Sequence, residues 1–323
     1  MTEYRSRMKQ HIAILYADSR FTPWRENIDT ATVRKVCQSL NPKYEVDIIH
    51  MIDPCAELAD LLSQYYCVVN LCYGFKQMMQ WEVAAWLDQH EIPHLSARGN
   101  VQQLAQHKKE VERLLCDFGL PVARSLNQEG EIQEGMYIVK PVSGGCHRNI
   151  SIVSSVELRN TFHRLNPEEW MVQPYLNGRE FSVAVLPDAT GMSHETLPPV
   201  EIVPFPKREV FIAGQEYGTT TRDFFPVLDE SLREQLSNAA LAAHQYVGLE
   251  YMSRCDFRVH DHVVYLLDVN AMPNLHPVKS LFPQILQHHG QSLKTLFTRM
   301  LSRHKLLRSG SMNADTPAVA LLN

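Results

Sequence analysis

The sequence predicts a mixed α/β fold in which a parallel-sheet lobe precedes two α+β lobes. Short apolar runs at 11–16, 46–49 and 67–71 have the character of buried strands and alternate with segments of helical periodicity. Such alternation favours a parallel sheet with helices on both faces. After residue 104 the pattern changes to strands separated by turns. A chain of 323 residues is long enough for two or three lobes, each with its own core.

The first lobe is expected to span residues 1–104, with helices between and after its strands. Val33, Val36 and Leu40 recur at helical spacing in the first of these helices. The three helices are predicted at 27–40, 55–64 and 78–90.

A central lobe is expected over residues 105–186. An amphipathic helix at 105–118 should open it, and Gly119 and Pro121 should end that helix. Asn177-Gly178 predicts a tight hairpin between the last two strands of this lobe. Its strands are predicted at 136–140, 150–153, 171–175 and 180–186, with one helix near 155–164.

A third lobe is expected over residues 187–308, followed by a flexible tail at 309–323 that contains many small and polar residues. Its predicted elements are a helix at 230–247, strands at 254–260 and 264–270, and a last helix at 284–301.

Composition restricts the classes of partner and compartment. The net charge of −5 gives no positive field that would attract nucleic acid or an anionic membrane. No apolar run approaches the roughly 20 residues of a membrane helix, and the first ten residues do not resemble a signal peptide. The seven cysteines are scattered, odd in number and free of CxxC pairs, which argues against a zinc site or a secreted disulfide framework. We therefore expect a cytoplasmic protein that binds neither nucleic acid nor membrane.

The two predicted strands of the third lobe suggest a metal site. If a three-residue loop at 261–263 joins them, Asp256 lies opposite Asp268 and Arg254 lies opposite Asn270, with all four side chains on one face. A two-residue loop would put the aspartates on opposite faces. Two carboxylates and an amide oxygen suit Mg²⁺; the alternative is a solvated face with a cross-strand Arg–Asp pair. The opposite face is uniformly apolar and carries Cys255, Phe257, Val259, Tyr265, Leu267 and Val269.

A second candidate lies at the end of the strand at 136–140. Lys140 ends this strand and leads into a loop with Gly144 and Gly145. Glycines let backbone N–H groups approach phosphate oxygens, and the lysine supplies a fixed positive charge. The stretch is neither a GxxxxGK[ST] loop nor a GxGxxG fingerprint. On its own the signal is weak, because a Gly-Gly segment is more often only a turn.

The third candidate surrounds the predicted hairpin at Asn177-Gly178. The backbone from Gln173 through Tyr175 to Leu176 can hydrogen-bond the edge of an adenine. Glu180, at the start of the returning strand, could accept from ribose hydroxyls. The alternative is a surface hairpin with an exposed Arg–Glu pair.

These three features occur in the order and spacing of the ATP-grasp enzymes, and over roughly residues 10–300 the chain resembles the D-alanine–D-alanine ligase family. The most specific match is Asp268-Val-Asn-Ala-Met-Pro273 followed by Ser280-Leu-Phe-Pro283. The resemblance implies an ATP-grasp fold: a Rossmann-like N-terminal (pre-ATP-grasp) lobe and two α+β subdomains that sandwich ATP.

The resemblance also implies roles for individual residues, with ATP and Mg²⁺ as cofactors and Mn²⁺ as an alternative metal. Arg254 and Ser280 would be catalytic, and Glu26, His276 and Ser280 would contact substrate. The implied metal ligands are Asp256, Asp268 and Asn270. The implied ATP contacts are Lys108, Lys140, Gly144, Gly145, Gln173, Tyr175, Leu176 and Glu180.

The implied reaction has two steps and joins small amino-acid substrates. A carboxylate attacks the γ-phosphate of ATP, and the amine of a second substrate then attacks the acyl phosphate. Arg254 would stabilise the tetrahedral oxyanion, and the loop from Ser143 would close over the site. Relatives are commonly dimers, so a homodimer is one expectation.

Departures from the family pattern leave the substrates open. The segment from Cys72 to Gln77 is shorter than the family loop at this point and lacks its carboxylate, and Gly145-Cys-His-Arg148 replaces a Gly-Ser-Ser segment. One extra residue separates Asn270 from Ser280. The family's flexible-loop lysine has no clear match; Gln215 falls near its position, and Lys207 and Arg208 are candidates. A ligase of altered specificity in specialised metabolism therefore competes with dipeptide formation for the cell wall.

Two further classes are weighed against a ligase. A non-catalytic ATP-binding module would need less than the set of Arg254, both aspartates and Asn270. A nicotinamide dehydrogenase would need a GxG motif after the strand that ends at Tyr16, and that motif is absent.

Overall fold

The structure is a computed structural model that describes residues 10–17, 30–76, 78–144, 149–204, 221–224 and 226–311. The first lobe is a three-stranded parallel sheet in the order β2-β1-β3, as the alternating pattern predicts. Its strands are β1 His11–Tyr16, β2 Glu45–His50 and β3 Cys67–Asn70, and its helices are α1 Thr30–Leu40, α2 Ala56–Leu62 and α3 Gln80–Gln89. No helix among the described residues has the length and apolar character needed to cross a bilayer.

The predicted single helix at 105–118 is two helices, α4 Gly99–Gln106 and α5 Lys108–Asp117. His107 interrupts them with φ −95° and ψ 89°, and its Nδ1 accepts a hydrogen bond from the Glu110 N–H at 3.3 Å. The imidazole thus acts as an N-cap for α5, a role more often filled by Ser, Thr, Asp or Asn. The break frees the Lys108 N–H to donate to the Val142 carbonyl at 2.9 Å.

A small antiparallel sheet forms the central lobe, in the order β5-β4-β6. Its strands are β4 Met136–Pro141, β5 Ser151–Ser154 and β6 Trp170–Pro174, and helix α6 Ser155–Thr161 covers it. Ser154 begins α6 with a capping box that includes Glu157. The buried core of this lobe consists of Ile132, Tyr137, Val139, Leu158 and Val172.

A larger antiparallel sheet follows, in the order β10-β9-β7-β11-β12 with β8 on β7. Its strands are β7 Arg179–Pro187, β8 His194–Thr196, β9 Val200–Pro204, β10 Thr221–Phe224, β11 Ser253–His260 and β12 Val263–Asn270. Helix α7 Glu230–Val247 lies where it was predicted. The predicted last helix at 284–301 is wrong: α8 Leu281–His288 ends before Gly290, which has φ +66°, and α9 Leu293–Arg308 begins after the cap Ser292.

The predicted hairpin at Asn177-Gly178 is also wrong, because β6 and β7 belong to different sheets. Gly178 has φ +156°, and a Cβ there would lie 1.9 Å from the Val259 carbonyl oxygen of β11. The glycine is therefore required by close backbone approach rather than by a hairpin turn. Residues 175–178 connect the small sheet to the large one. The sequence division at residue 186 assigns β7 to the central lobe, whereas its strand partners lie in the large sheet.

Two cores join the first lobe and its helices to the large sheet. In one, side chains of β1 and α1 pack with β7, α8 and α9; Ile14, Val36, Phe282 and Phe297 are among its buried members. In the other, α4 and α5 pack with α7 and the apolar faces of β7, β11 and β12. The central lobe has only its own small core, so it is the part of the chain least tied to the rest.

Candidate active site

The β11–β12 hairpin brings together the four side chains that the sequence assigned to one face. Asp256 pairs with Asp268, and Arg254 pairs with Asn270, so the predicted pairing is confirmed. The predicted three-residue loop is wrong. The turn is the two residues Asp261 and His262, both with positive φ (+46° and +65°), as in the turns that join tight hairpins.

A β-bulge restores the pairing that the shorter loop would have lost. Between the turn and Phe257, the residues of β11 and β12 pair in the register that a two-residue loop sets, so Phe257 lies opposite Leu266. Leu267 is then the extra residue, after which Asp268 lies opposite Asp256. The bulge also corrects the predicted apolar face: Val264 and Leu266 are the buried side chains, not Tyr265 and Leu267.

Asp256 is held tightly in the present structure. Arg254 forms a bidentate pair with it, Nε to Oδ1 at 2.9 Å and Nη2 to Oδ2 at 2.8 Å. The Ser182 hydroxyl of β7 also donates to Oδ1. Arg254 and Asp256 are two residues apart on one strand, so the ion pair runs along β11 rather than across strands. The pair is mostly buried, which fixes the carboxylate orientation.

The donor set suits a hard divalent cation that also keeps water and phosphate ligands. Among the residues that the structure describes, no three His, Cys, Asp or Glu side chains converge as a metal cluster. The candidate set contains only two carboxylates, Asp256 and Asp268, and the amide of Asn270. The Asn270 Oδ1 accepts from the Met272 N–H at 3.0 Å and keeps a second lone pair. A site with two carboxylates fits Mg²⁺, which usually keeps several non-protein ligands.

Two lysines from different elements lie near this face. Lys140, at the end of β4, is 8% exposed, and burial together with the charge of Lys108 lowers its pKa to about 8. Asp268 and Glu112 act in the opposite direction on the same amine. Lys108, the first residue of α5, donates its Nζ to the Gly144 carbonyl at 2.5 Å. The small sheet and α5 thus each contribute one amine near the aspartate face of the large sheet.

The side chain of Gln173 is directed away from solvent. Its amide donates to the Glu112 carboxylate at 3.2 Å and to the Ala123 carbonyl. Glu112 also accepts from the backbone N–H and the hydroxyl of Ser125. These bonds join β6 to α5 and to the segment after it, so the Gln173 side chain supports the central lobe at the point where the connector 175–178 begins.

Glu180 forms a buried ion pair that sequence reasoning missed. Arg258 lies directly opposite it across β7 and β11, and its Nη2 donates to Oε2 at 2.5 Å. The other arm of Arg258 reaches the Leu176 carbonyl at 3.4 Å. The alternative, a surface hairpin with an exposed pair between Arg179 and Glu180, is wrong, because Arg179 pairs with Glu201. The alternation Arg254, Asp256, Arg258 along β11 was the signal that could have identified Arg258.

A compact loop at 271–280 follows Asn270. The Asn274 Oδ1 accepts from the His276 N–H at 2.8 Å and from the Ser280 hydroxyl at 3.0 Å. The His276 Nδ1 accepts from the N–H groups of Val278 and Lys279. The His276 imidazole and the Asn274 carboxamide therefore stabilise the conformation of this loop through hydrogen bonds within it. Ser280 is the N-cap residue of α8. Asn274 was not singled out from the sequence.

Several candidates fall outside the described residues. These are Glu26, Gly145, Cys146, Lys207, Arg208 and Gln215. Tyr175 and Leu176 lie in the connector, where the Tyr175 N–H donates to the Met136 carbonyl at 2.9 Å.

Comparison with known proteins identifies the relatives of this fold and site. The family model described as the D-ala D-ala ligase C-terminus matches residues 126–302, more than half of the chain. The D-alanine–D-alanine ligase B of Mesorhizobium japonicum is 28% identical over 239 residues, which are 67% of this chain and 74% of that protein.

Solved structures extend the likeness to nearly the whole chain. The D-alanine–D-alanine ligase of Bacillus anthracis complexed with ATP superposes with a TM-score of 0.70 at 17% identity, covering 94% of this chain and all of that one. The VanG D-Ala:D-Ser ligase of Enterococcus faecalis superposes with a TM-score of 0.69 at 13% identity, covering 92% of this chain and all of that one. At these identities the likeness establishes the fold.

Proposed function

The chain belongs to the D-alanine–D-alanine ligase family of ATP-dependent ATP-grasp ligases, and we propose that it joins two amino-acid-like substrates through an acyl phosphate. The observation that carries this proposal is the pairing of β11 with β12. It gathers Arg254, Asp256, Asp268 and Asn270 on one face, opposite two lysines of other elements. A protein that only bound nucleotide would not need this arginine beside both aspartates.

ATP is proposed to lie between the small and large sheets. Lys108 and Lys140 would neutralise the phosphates, with the backbone of Gly144 and Gly145 beside them. Residues 173–176 would run along the adenine edge, and Glu180 would accept from the ribose hydroxyls. The Glu180–Arg258 pair supports this assignment, because the arginine also reaches the Leu176 carbonyl and so holds the connector and the acid together.

Mg²⁺ is proposed to be held by Asp256, Asp268 and Asn270, with Mn²⁺ as an alternative. When bound, it would neutralise charge on the triphosphate. Asp256 is already fixed by Arg254 and Ser182, which keeps its carboxylate in one orientation. Asp268 is more accessible than Asp256 and would be the main protein anchor of the ion.

Catalysis by this chain would depend on charged side chains that the fold already holds in position before substrate binds. Arg254 would stabilise the oxyanion that forms when the amine attacks the acyl phosphate. The Ser280 hydroxyl and His276, in the 271–280 loop, would hold the substrates beside it. Glu26 is the proposed partner of an amino group. Closure of the loop from Ser143 would keep water from the acyl phosphate.

A ligase of different amino-acid specificity, in specialised metabolism, is the second candidate. The observation that favours it is the segment Cys72–Lys76, where a tight turn with backbone bonds between Phe75 and Met78 carries a lysine and no carboxylate. Among the relatives, D-Ala:D-Ser ligation by VanG is one example of a changed second substrate.

We further infer a cytoplasmic location and a homodimeric assembly, and sedimentation of the purified protein tests the assembly.

The proposed function is tested with ATP, Mg²⁺ and a panel of single and paired amino acids, scored by phosphate release and product mass. Release with D-alanine alone would assign dipeptide formation; release only with another pair would assign altered specificity. Asp268→Asn should reduce release by at least about 100-fold, because a metal ligand is lost. Asp261→Asn, in the exposed turn of the same hairpin, is the matched control. Binding of ATP without release under any pair would indicate a non-catalytic module.

A further inference from the structure

The first lobe shares apolar packing with Met272 and Leu275 of the 271–280 loop and also bonds to this loop through a buried hydroxyl. The Tyr73 hydroxyl donates to the Pro273 carbonyl at 3.0 Å, across 200 residues of sequence. Tyr73 is 4% exposed, and Pro273 is buried as well. A buried carbonyl that loses its donor is left without a hydrogen bond, which costs free energy. The bond therefore favours the loop position in which the Pro273 carbonyl meets the Tyr73 hydroxyl.

The segment that presents Tyr73 is itself constrained. The Cys72 N–H donates to the Asn70 Oδ1 at 2.9 Å, which ends β3 in a tight turn. Gly74 follows with φ +125°, and backbone bonds between Phe75 and Met78 close the next turn. The backbone turns on both sides of Tyr73 therefore fix its position within the first lobe, independently of its bond to the 271–280 loop.

Pro273 lies between the two functional ends of the loop. It is three residues after Asn270, the proposed metal ligand, and seven before Ser280, the proposed substrate contact. The next residue, Asn274, fixes the Ser280 hydroxyl and the His276 N–H. A shift of the Pro273 carbonyl would therefore move the carboxamide that orients Ser280.

We propose that Tyr73 is a positioning residue, which fixes the 271–280 loop through Pro273 and so sets the subsite of the second amino-acid substrate. This role rests on the proposed ligase function. It also gives the segment Cys72–Lys76 a part in specificity that needs no carboxylate: the first lobe acts on the substrate through the loop rather than by touching it.

The test is Tyr73→Phe, which removes one oxygen and keeps the ring. With ATP, Mg²⁺ and D-alanine as the substrate pair, we expect the KM for D-alanine to rise about 5- to 10-fold and the KM for ATP to stay within about 2-fold, as loss of one buried hydrogen bond predicts. Hydrogen exchange of peptides spanning 271–280 should be faster in the variant without any ligand.

Tyr251→Phe is the matched control. Tyr251 is also 4% exposed, lies in the same core, and loses a hydrogen bond to His304 Nδ1 of 2.9 Å. It should lower stability comparably and leave both the D-alanine KM and loop exchange unchanged. Equal loop exchange in wild type and Tyr73→Phe would overturn the proposal, as would faster exchange with an unchanged D-alanine KM. If wild type releases no phosphate with any amino acid, the proposed function fails, and the exchange comparison still decides whether Tyr73 holds the loop.

Discussion

At the scale of single residues, the site depends on charged side chains that are partly buried. Lys140 shows the effect most clearly, because burial and the nearby Lys108 lower the pKa of its amine from 10.5 to about 8. Between these pH values the unfolded chain keeps a proton that the folded chain has released. This group therefore makes the folded state more stable as pH rises from about 8 to 10.5, and its penalty is full below 8. The unliganded protein thus carries a cost that an anionic ligand can relieve.

Nucleotide binding should consequently take up a proton. The triphosphate would raise the pKa of Lys140, so at pH 8.5 binding should capture a fraction of a proton, and affinity should fall as pH rises through 8. Calorimetry of Mg·ATP binding in two buffers with different ionisation enthalpies measures this uptake. Lys140→Met should abolish it, whereas Lys109→Met, which loses only a bond to the Pro167 carbonyl, should not. Equal enthalpies in both buffers for the wild type would contradict the assignment.

The Glu180–Arg258 pair makes a second prediction at this scale. Both side chains are largely buried, so Arg258→Leu should leave an uncompensated carboxylate and cost about 3 kcal/mol or more of unfolding free energy. The ATP KM should rise with it, because Glu180 loses its fixed orientation. Arg113→Leu breaks the Arg113–Glu110 pair, which is exposed on both sides, and should cost no more than about 1 kcal/mol. Urea unfolding and ATP titration of both variants check the contrast, and similar losses in the two would refute it.

At the scale of elements, the hairpin formed by β11 and β12 shows what sequence patterns can and cannot specify. The alternation in β11 is clear, because charged and apolar residues take turns from Arg254 to Val259. The first part of β12 is Val263-Val-Tyr-Leu-Leu267, which is apolar throughout and has no readable phase. The bulge at Leu267 therefore could not be predicted from the sequence. The two-residue turn was missed as well, because its Asp-His sequence lacks the glycine typical of such turns. The predicted pairing of the four site residues is nevertheless correct, because the bulge adds back the residue by which the turn is shorter than predicted.

Asn177-Gly178 shows the opposite failure. The dipeptide is a strong local turn signal, but local sequence does not encode whether the flanking strands pair with each other. In the structure Gly178 satisfies a close contact with β11 instead. Long-range packing decided the outcome, and this is the kind of information a single sequence lacks. The break at His107 was missed for a related reason, since the Lys108 N–H bonds to Val142 in another lobe.

Counting residues in the hairpin predicts which deletion the site tolerates. Deletion of Leu267 removes the bulge and leaves Asp268 opposite Asp256, so Mg·ATP affinity should stay within about 5-fold of wild type. Deletion of Val269 instead turns Asn270 toward the core and should abolish binding. Calorimetric titration of the two proteins with Mg·ATP measures the difference. If the first deletion lost binding as fully as Asp268→Asn, the bulge itself would be part of the site.

At the scale of the whole molecule, the cores are distributed unevenly. The first lobe and the large sheet share extensive cores, while the central lobe has one small cluster of its own. The central lobe contacts the rest through polar bonds, such as Lys108 with Gly144 and Gln173 with Glu112, and through the connector 175–178. Lys140 and the strand-end residues proposed to hold ATP therefore lie on the part of the fold that can open at least cost, whereas Lys108 lies on α5, which packs with the large sheet.

Independent opening of the central lobe predicts a specific response to core truncation. Leu158 is fully buried in that lobe, and Leu158→Ala should cost about 2–5 kcal/mol there. Exchange of amide hydrogens should accelerate in β4, β5 and β6 but not in β1 or β11, and Mg·ATP should slow it again by binding across the lobes. Leu296→Ala, equally buried in the core shared with the first lobe, should instead lower the main thermal transition. Acceleration in every strand by Leu158→Ala would mean that the three lobes unfold as one unit, and ATP would then have to enter without separate movement of the small sheet.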